Sequence, residues 1–136
     1  MSSKQSKPFD YDYYVEMVEK RYFASVDHKD MTAVLDCFCE DAVFTIQSAF
    51  SVHEGRDTGI KKMFEEYFEN YTWGVHKEFV HLVDPKRQCG ASQFNVEVEA
   101  PDGTKTCMSN ANFHYFENGK LKRVYVYMSG GENTLR

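Results

Sequence analysis

The first half of the chain has the apolar spacing of helices. A helix over about residues 10–26 is predicted by apolar residues that recur every fourth position on one face: Tyr14, Val18, Tyr22 and Val26. A second, short helix is predicted after Asp30, whose side chain suits a helix N-terminus, and its apolar side consists of Met31, Val34, Leu35 and Phe38. The strongest stripe predicts a third helix and consists of Ile60, Met63, Phe64, Tyr67 and Phe68.

The second half changes to the pattern of strands. Alternating or β-branched segments predict strands near 74–84, 88–99, 104–117 and 120–129. Turn residues separate them at 84–87, 101–103 and 117–119, and the last two are hairpin signals. A strand is also predicted over 42–46, with an extended piece over 50–53. Helices followed by antiparallel strands predict an α+β fold, in which N-terminal helices pack in the concave face of a curved mixed or antiparallel sheet.

The length and the charge of the chain narrow this picture. The 136 residues suffice for one domain, predicted over 10–130, with a disordered arm over 1–9 and a flexible tail over 131–136. The net charge of −5 argues against nucleic-acid binding, which needs a basic face. There is no apolar run of membrane-spanning length and no secretory signal at the start, so we expect a cytoplasmic protein without a membrane partner.

The four cysteines do not have the spacing of a metal site. Cys37, Cys39, Cys89 and Cys107 form no Cys-x-x-Cys motif, and no histidine follows the first pair at zinc-finger distance. There is also no glycine-rich phosphate loop after a strand. We therefore expect reduced thiols that pack as small apolar groups, no metal and no cofactor.

Four motifs, in this order and spacing, resemble the nuclear transport factor 2-like superfamily. They are RYFASVDHKD at 21–30, VLDCFCEDAVF at 34–44, EGR at 54–56 and FENGKL at 116–121. The superfamily includes ketosteroid isomerases, scytalone dehydratases, SnoaL-like polyketide cyclases and non-enzymatic binding modules. The resemblance therefore implies a cone-shaped, cystatin-like fold that is often dimeric, and it does not imply one reaction.

Comparison with the ketosteroid isomerases gives two candidate residues and one contradiction. Tyr22 falls where that family has its oxyanion-binding tyrosine, and Asn112 falls where it has the protonated aspartate that shares this role. Ile46, however, falls where the family has its catalytic base. Since isoleucine cannot transfer a proton, the resemblance argues against steroid isomerisation by the family mechanism.

Comparison with scytalone dehydratase gives a similar mixture. Asn112 lies in a segment, 110–115, that resembles one with a substrate-contacting asparagine, and Asp27 matches a functional aspartate. In contrast, Val26 and Ile46 replace two tyrosines, and Val98 replaces a histidine. The family's other histidine has Glu78 as its nearest counterpart, with His76 close by. A dehydratase of this type is therefore doubtful on the residues present.

Strand alternation predicts which side chains line a pocket. Ligand-contacting positions are predicted on the helices and on the inner face of the sheet: Val26, Phe44, Ile46, Glu78, Phe94, Val96, Val98, Asn110, His114, Val124, Val126 and Met128. In the strand near 74–84 the resemblance places His76, Glu78, Val80 and Leu82 inward and His81 outward, whereas a bulge would reverse that assignment. The pocket is thus expected to bind a small, largely apolar ring compound.

His76 is the best candidate for acid–base chemistry, because imidazole titrates near neutrality. Glu78, two residues on, would orient it, and Tyr22 and Asn112 would hold a ligand oxygen. Asp27 is interpreted as a turn or cap residue rather than a catalytic one.

Two hypotheses follow for the function. The first is a cofactor-free lyase, isomerase or cyclase acting on a compact cyclic substrate, with catalytic residues His76, Tyr22 and Asn112. The second is a non-catalytic ligand-binding or dimerisation module of the same fold. Under both, the four long strands have apolar or aromatic residues on both faces, which predicts a homodimer through the outer face of the sheet.

Overall fold

The computed structural model describes residues 9–129 and 133–136. The predicted disordered arm lies outside the described residues except for Phe9, whose ring stacks on Tyr13 at a centroid distance of 4.2 Å. Residues 131–132 of the predicted tail, and Gly130 before them, also lie outside the described residues.

The first helix has the predicted apolar face, and it begins and ends one residue later than predicted. It consists of α1 (Tyr11–Glu16), a π-helical stretch (Met17–Phe23) and α2 (Ala24–Asp27). Asp10 caps it by accepting a hydrogen bond from the Tyr13 amide at 2.9 Å. The wider π-helical turns bring additional side chains to the sheet, so Met17 and Phe23 are buried beside the predicted stripe.

The second helix is shorter than predicted. α3 (Met31–Asp36) begins after Asp30, which accepts a hydrogen bond from the Ala33 amide as a cap. Phe38, predicted on this helix, instead starts strand β1 (Phe38–Ile46), where it pairs with Leu121. Phe38 is fully buried in the strand. Because a buried apolar residue fits the end of a helix as well as the start of a strand, apolar spacing alone did not locate the end of this helix.

The third helix follows a short strand and a second π-helical stretch. Strand β2 (Ser51–Glu54) leads into Gly55–Ile60 and then α4 (Lys61–Asn70). The predicted stripe faces the sheet, since Ile60, Met63, Phe64 and Tyr67 are all buried.

The helices pack against one curved, mixed sheet of six strands in the order β2-β1-β6-β5-β4-β3. The last four strands are the predicted antiparallel meander: β3 (Trp73–Asp84), β4 (Cys89–Glu99), β5 (Lys105–Glu117) and β6 (Lys120–Tyr127). β1 joins this meander in parallel with β6. The result is the predicted α+β cone, with its core between the helices and the concave face of the sheet.

A bulge in β3 reverses the direction of its side chains. The register with β4 shifts between Lys77 and Val80, and Glu78 has a left-handed backbone with φ of 59°. Before the bulge His76 faces inward as predicted; after it the odd-numbered residues do. Val80 and Leu82 are therefore exposed, at 59% and 71%, so their predicted inward positions are wrong. His81, predicted outward, faces the helices.

The outer face of the sheet has several exposed apolar side chains. They come from strands β3, β5 and β6 and include Leu82, Phe113, Tyr115 and Tyr127. Among the described residues, no helix has the length and hydrophobicity needed to cross a membrane.

Candidate active site

A carboxylate–histidine pair joins the first helix to β3. Asp27 Oδ1 lies 2.6 Å from His76 Nδ1, and Asp27 Oδ2 accepts a hydrogen bond from the His76 backbone amide at 3.0 Å. Both side chains are largely buried, at 18% and 11% exposure. Two contacts to one carboxylate fix the imidazole in orientation and place a proton on Nδ1 in its neutral form. The other nitrogen, Nε2, has no hydrogen-bond partner among residues 9–129 and 133–136 and is available there as a proton acceptor.

His76 is oriented by Asp27 and not, as predicted, by Glu78. The Glu78 side chain is exposed and accepts a hydrogen bond from Asn95 Nδ2. The left-handed backbone at Glu78 turns its side chain away from the helices. Asp27, interpreted from the sequence as a turn or cap residue, is the hydrogen-bond partner of His76. The two residues are separated by 49 positions, so no local pattern connects them.

His76 lines a small cavity between the helices and the sheet. The other lining residues come from both layers and from the segment after β6: Phe23, Val26, Phe64, Tyr67, Phe94, Asn110, Asn112, Val126, Met128, Thr134 and Leu135. The space that the centre of a water molecule can occupy measures about 20 Å³. This is room for one ordered water, and a ring compound would require part of the lining to move.

Two asparagines provide most of the polarity on the sheet side of the cavity. Asn110 Oδ1 accepts a hydrogen bond from the Ser129 amide at 3.2 Å, and its NH₂ group is a donor without a partner among the described residues. Asn112 is 2% exposed, and its Oδ1 has no hydrogen-bond partner among the described residues. A buried unpaired carbonyl is costly. The cavity therefore contains an acceptor that a ligand donor or an ordered water would satisfy.

The fold and this arrangement agree with a family model for the SnoaL-like domain, which matches residues 20–124. The chain belongs to the SnoaL-like domain family. No curated protein matches the sequence.

Solved structures share the SnoaL-like fold at low sequence identity. A candidate polyketide cyclase from Pseudomonas putida KT2440 is 21% identical, with a TM-score of 0.75 over 84% of this chain and 90% of that one. A candidate isomerase from Bacillus subtilis is 16% identical, with a TM-score of 0.74 over 88% of both chains. AusH from Aspergillus nidulans is 8% identical, with a TM-score of 0.78 over 93% of this chain and 90% of that one. At these identities the likeness concerns the fold alone.

Seven predicted site residues of this SnoaL-like chain line the cavity: Val26, His76, Phe94, Asn110, Asn112, Val126 and Met128. Others face inward as predicted but are packed in the core away from it: Phe44, Ile46, Val96, Val98, His114 and Val124. The phase of a strand specifies the face of a residue, but it does not specify where along the cone a cavity forms.

Tyr22 is buried in the aromatic core and is not among the residues that line the cavity. It contacts Phe23, Phe38 and Phe64. Burial raises its pKa well above the ordinary value, so the hydroxyl stays protonated. Tyr67, which sequence reasoning treated as core, lines the cavity, and burial together with the nearby Asp27 raises its pKa. Its place on the stripe of α4 was the available signal, since that stripe faces the sheet.

The segment 133–136 closes one side of the cavity. Asn133 contacts Ser48 twice, through the side-chain oxygens at 2.7 Å and from its Nδ2 to the Ser48 carbonyl at 3.3 Å. Thr134 is 6% exposed and lies 3.6 Å from Met128 Sδ. The sequence predicts a flexible tail here, and no pattern signalled that Thr134 and Leu135 would line the site.

Within residues 9–129 and 133–136, no three His, Cys, Asp or Glu side chains lie close enough together to hold a metal ion. The cysteines in this part of the chain are free thiols.

Proposed function

We propose that this SnoaL-like protein is a cofactor-free lyase, isomerase or cyclase that moves a proton on a compact, largely apolar ring substrate. The observation that carries the proposal is the Asp27–His76 pair, with Nδ1 held by the carboxylate and His76 in the cavity wall. An imidazole held in this way is a suitable general base, and a base also explains how the chain functions with Ile46 at the position of another family's carboxylate.

The remaining polar groups of the cavity would bind an oxygen on the substrate. Asn110 and Tyr67 can donate hydrogen bonds, and Asn112 Oδ1 can accept one. The apolar walls, with Phe23, Phe94 and others, exclude water and suit a ring. We expect Leu135 and Thr134 to make room for it, because they lie on the short segment 133–136 and not on the helices or the sheet.

5-Nitrobenzisoxazole tests this proposal, since it is an apolar ring that opens when a base removes its C–H proton. We expect measurable elimination by the wild type and a loss on the order of 10²–10⁴-fold in His76→Gln. His28→Gln is the matched control, because His28 is exposed and bonds only to the Ala24 carbonyl in the described structure. Equal rates in wild type and His76→Gln would contradict the proposal. Binding without turnover would favour the non-catalytic alternative.

We also propose that the protein is a homodimer through the outer face of the sheet. Leu82, Phe113 and Tyr127 are 71%, 44% and 43% exposed there, and a second copy would cover them. Light scattering should give twice the chain mass of 15.9 kDa for wild type. Leu82→Glu should give the single mass, and Phe50→Glu, in a turn, should not change the dimer. A single-chain mass for wild type would contradict this proposal.

A further inference from the structure

A second carboxylate–histidine pair lies farther along the same helix–strand interface. His81 Nε2 is 2.9 Å from Glu19 Oε1, and His81 Nδ1 is 2.8 Å from Ser92 Oγ. His81 and Ser92 are almost fully buried, whereas Glu19 is 36% exposed at its side chain. Both imidazole nitrogens are occupied, so this histidine has no nitrogen free for a ligand.

Strand pairing places two further residues in one row that leads from His81 across the sheet to the cavity. His81 pairs with Ser92 in β4, and Ser92 pairs with Asn112 in β5. Directly paired residues on one face of a sheet have Cβ atoms about 4.5–5.5 Å apart. The row therefore runs from a partly exposed carboxylate, through a histidine and a hydroxyl, to the amide with an unpaired buried oxygen.

The direction of the hydrogen bonds in this row depends on the protonation state of His81. When His81 is neutral, the ionised Glu19 can only accept, so Nε2 carries the proton and Nδ1 must accept from the Ser92 hydroxyl. When His81 takes up a proton from solvent, Nδ1 donates to Ser92 Oγ instead. The Ser92 hydroxyl then no longer donates its hydrogen bond to His81, and its proton can point to another acceptor. Asn112 Oδ1, on the neighbouring strand, is a buried acceptor without a partner among the described residues.

We propose that Ser92 is a specificity-determining residue, which fixes whether Asn112 offers the cavity an acceptor or a donor. With neutral His81, Asn112 Oδ1 is free to accept from a ligand hydroxyl. With protonated His81, Ser92 donates to Oδ1, and the amide presents its NH₂ group to the ligand. In this change one N–H bond forms at His81 Nδ1 with a proton from solvent, the Ser92 hydroxyl rotates away from His81, and the Asn112 amide turns so that its Oδ1 meets that hydroxyl. This inference deepens the proposed function, because it specifies the ligand group that the same cavity selects.

The other groups facing His81 do not supply this proton. Glu19 approaches from the first helix and contacts His81 Nε2, the nitrogen that carries a proton whether His81 is neutral or charged. His114 approaches from β5, and burial, with a smaller effect of His81, lowers its pKa to about 3. His114 is therefore neutral above that pH, and its Nε2 has no partner in the described part of the chain. Phe79 covers the His81 ring in a stacked contact.

NMR of the ligand-free, isotope-labelled protein tests the inference separately from catalysis. We expect the Asn112 side-chain amide resonances to shift with the same pH midpoint as the His81 imidazole. The shift should persist in Ser92→Thr, which keeps a hydroxyl, and in His76→Gln, which removes the other pair's histidine. It should vanish in Ser92→Ala, which removes the hydroxyl and keeps the contact between His81 and Glu19.

Three outcomes would overturn the inference: an Asn112 amide that does not follow His81, the same shift in Ser92→Ala, or a shift lost in His76→Gln. If Ser92→Ala fails to fold, His81→Gln provides the same test, because the pH-dependent shift of the Asn112 amide resonances must then disappear. A positive NMR result without turnover of 5-nitrobenzisoxazole would reject the enzyme proposal and keep this one.

Discussion

Two carboxylate–histidine pairs join the first helix to β3, and they differ in what remains free. At Asp27–His76 the carboxylate takes one ring nitrogen and the imidazole lines the cavity. At Glu19–His81 both ring nitrogens have partners, the second being Ser92. The comparison teaches that residue type and spacing define a candidate base, but hydrogen-bond occupancy decides whether it has a nitrogen to use.

An aromatic wall separates the two pairs. The Phe23 ring lies 4.6 Å from the His76 ring and 5.4 Å from Phe79, which in turn stacks on His81 at 5.3 Å. The bulge at Glu78 makes this possible, because it lets His76, Phe79 and His81 all face the helices. Without the bulge, a strand with His76 inward would place His81 outside.

Among the variants considered, Asp27→Asn is expected to have the largest effect, and it acts on catalysis by the Asp27–His76 pair. The amide cannot hold the His76 tautomer and charge as a carboxylate does, so elimination of 5-nitrobenzisoxazole should fall on the order of 10²–10⁴-fold. Asp36→Asn is the control, since Asp36 forms only exposed ion pairs with Arg21 and Lys120 in the described structure. An unchanged rate in Asp27→Asn would show that the pair is structural.

Phe23→Ala would remove the wall between the pairs. Phe23 is 3% exposed and contacts His76, Phe79 and Phe94. Its truncation should lower the free energy of unfolding by about 3–5 kcal/mol, measured by urea denaturation. Phe50→Ala, at a 95% exposed ring, should change it little. A loss below about 1 kcal/mol in Phe23→Ala would mean that the wall is not closely packed.

The buried imidazole of His114 makes the free energy of unfolding sensitive to acid. Its pKa is lowered from 6.5 to about 3 by burial, so the unfolded chain binds a proton that the fold does not. The stability is full above the unfolded value and falls as the pH drops toward the folded one. From pH 7 to pH 5 this group should cost about 2 kcal/mol of unfolding free energy.

Urea titrations at the two pH values should therefore show a smaller acid loss in His114→Leu than in wild type. His28→Gln should retain the wild-type pH dependence, because His28 is exposed. Identical losses in wild type and His114→Leu would contradict the assignment of a neutral buried imidazole.

The smallest expected effect is on ligand binding in the cavity that His76 lines. Leu135→Ala should tighten the binding of naphthalene by up to about tenfold, because the ligand would displace less of the protein. Calorimetric titration measures it, with exposed Arg136→Ala as the control. Unchanged or weaker binding in Leu135→Ala would show that room for a ligand opens elsewhere.

Much of the fold was predictable, because helix and strand periods are local properties. The helix stripes, the cap at Asp30 and the Asn118-Gly119 turn, which has positive φ at both residues, agree with the structure. His76 and Asn112 were predicted for the site and line its cavity.

The rest depended on features that no local pattern encodes. One left-handed residue at Glu78 changes the faces of Val80, His81 and Leu82. The partner of His76 is 49 positions away, and Leu135 reaches the cavity from beyond the last strand. These contacts exist only after the chain has folded, so alternation and propensity could not indicate them.

We propose that His76, held by Asp27, is the base that faces the ligand. The most direct test is the pH dependence of kcat/KM for 5-nitrobenzisoxazole, compared with the His76 titration followed by NMR on the same protein. A base must be neutral to accept a proton, so the rate should rise with pH through the His76 midpoint, and this step should be absent in His76→Gln. A pH profile that does not follow His76, or that is unchanged in His76→Gln, would contradict the account.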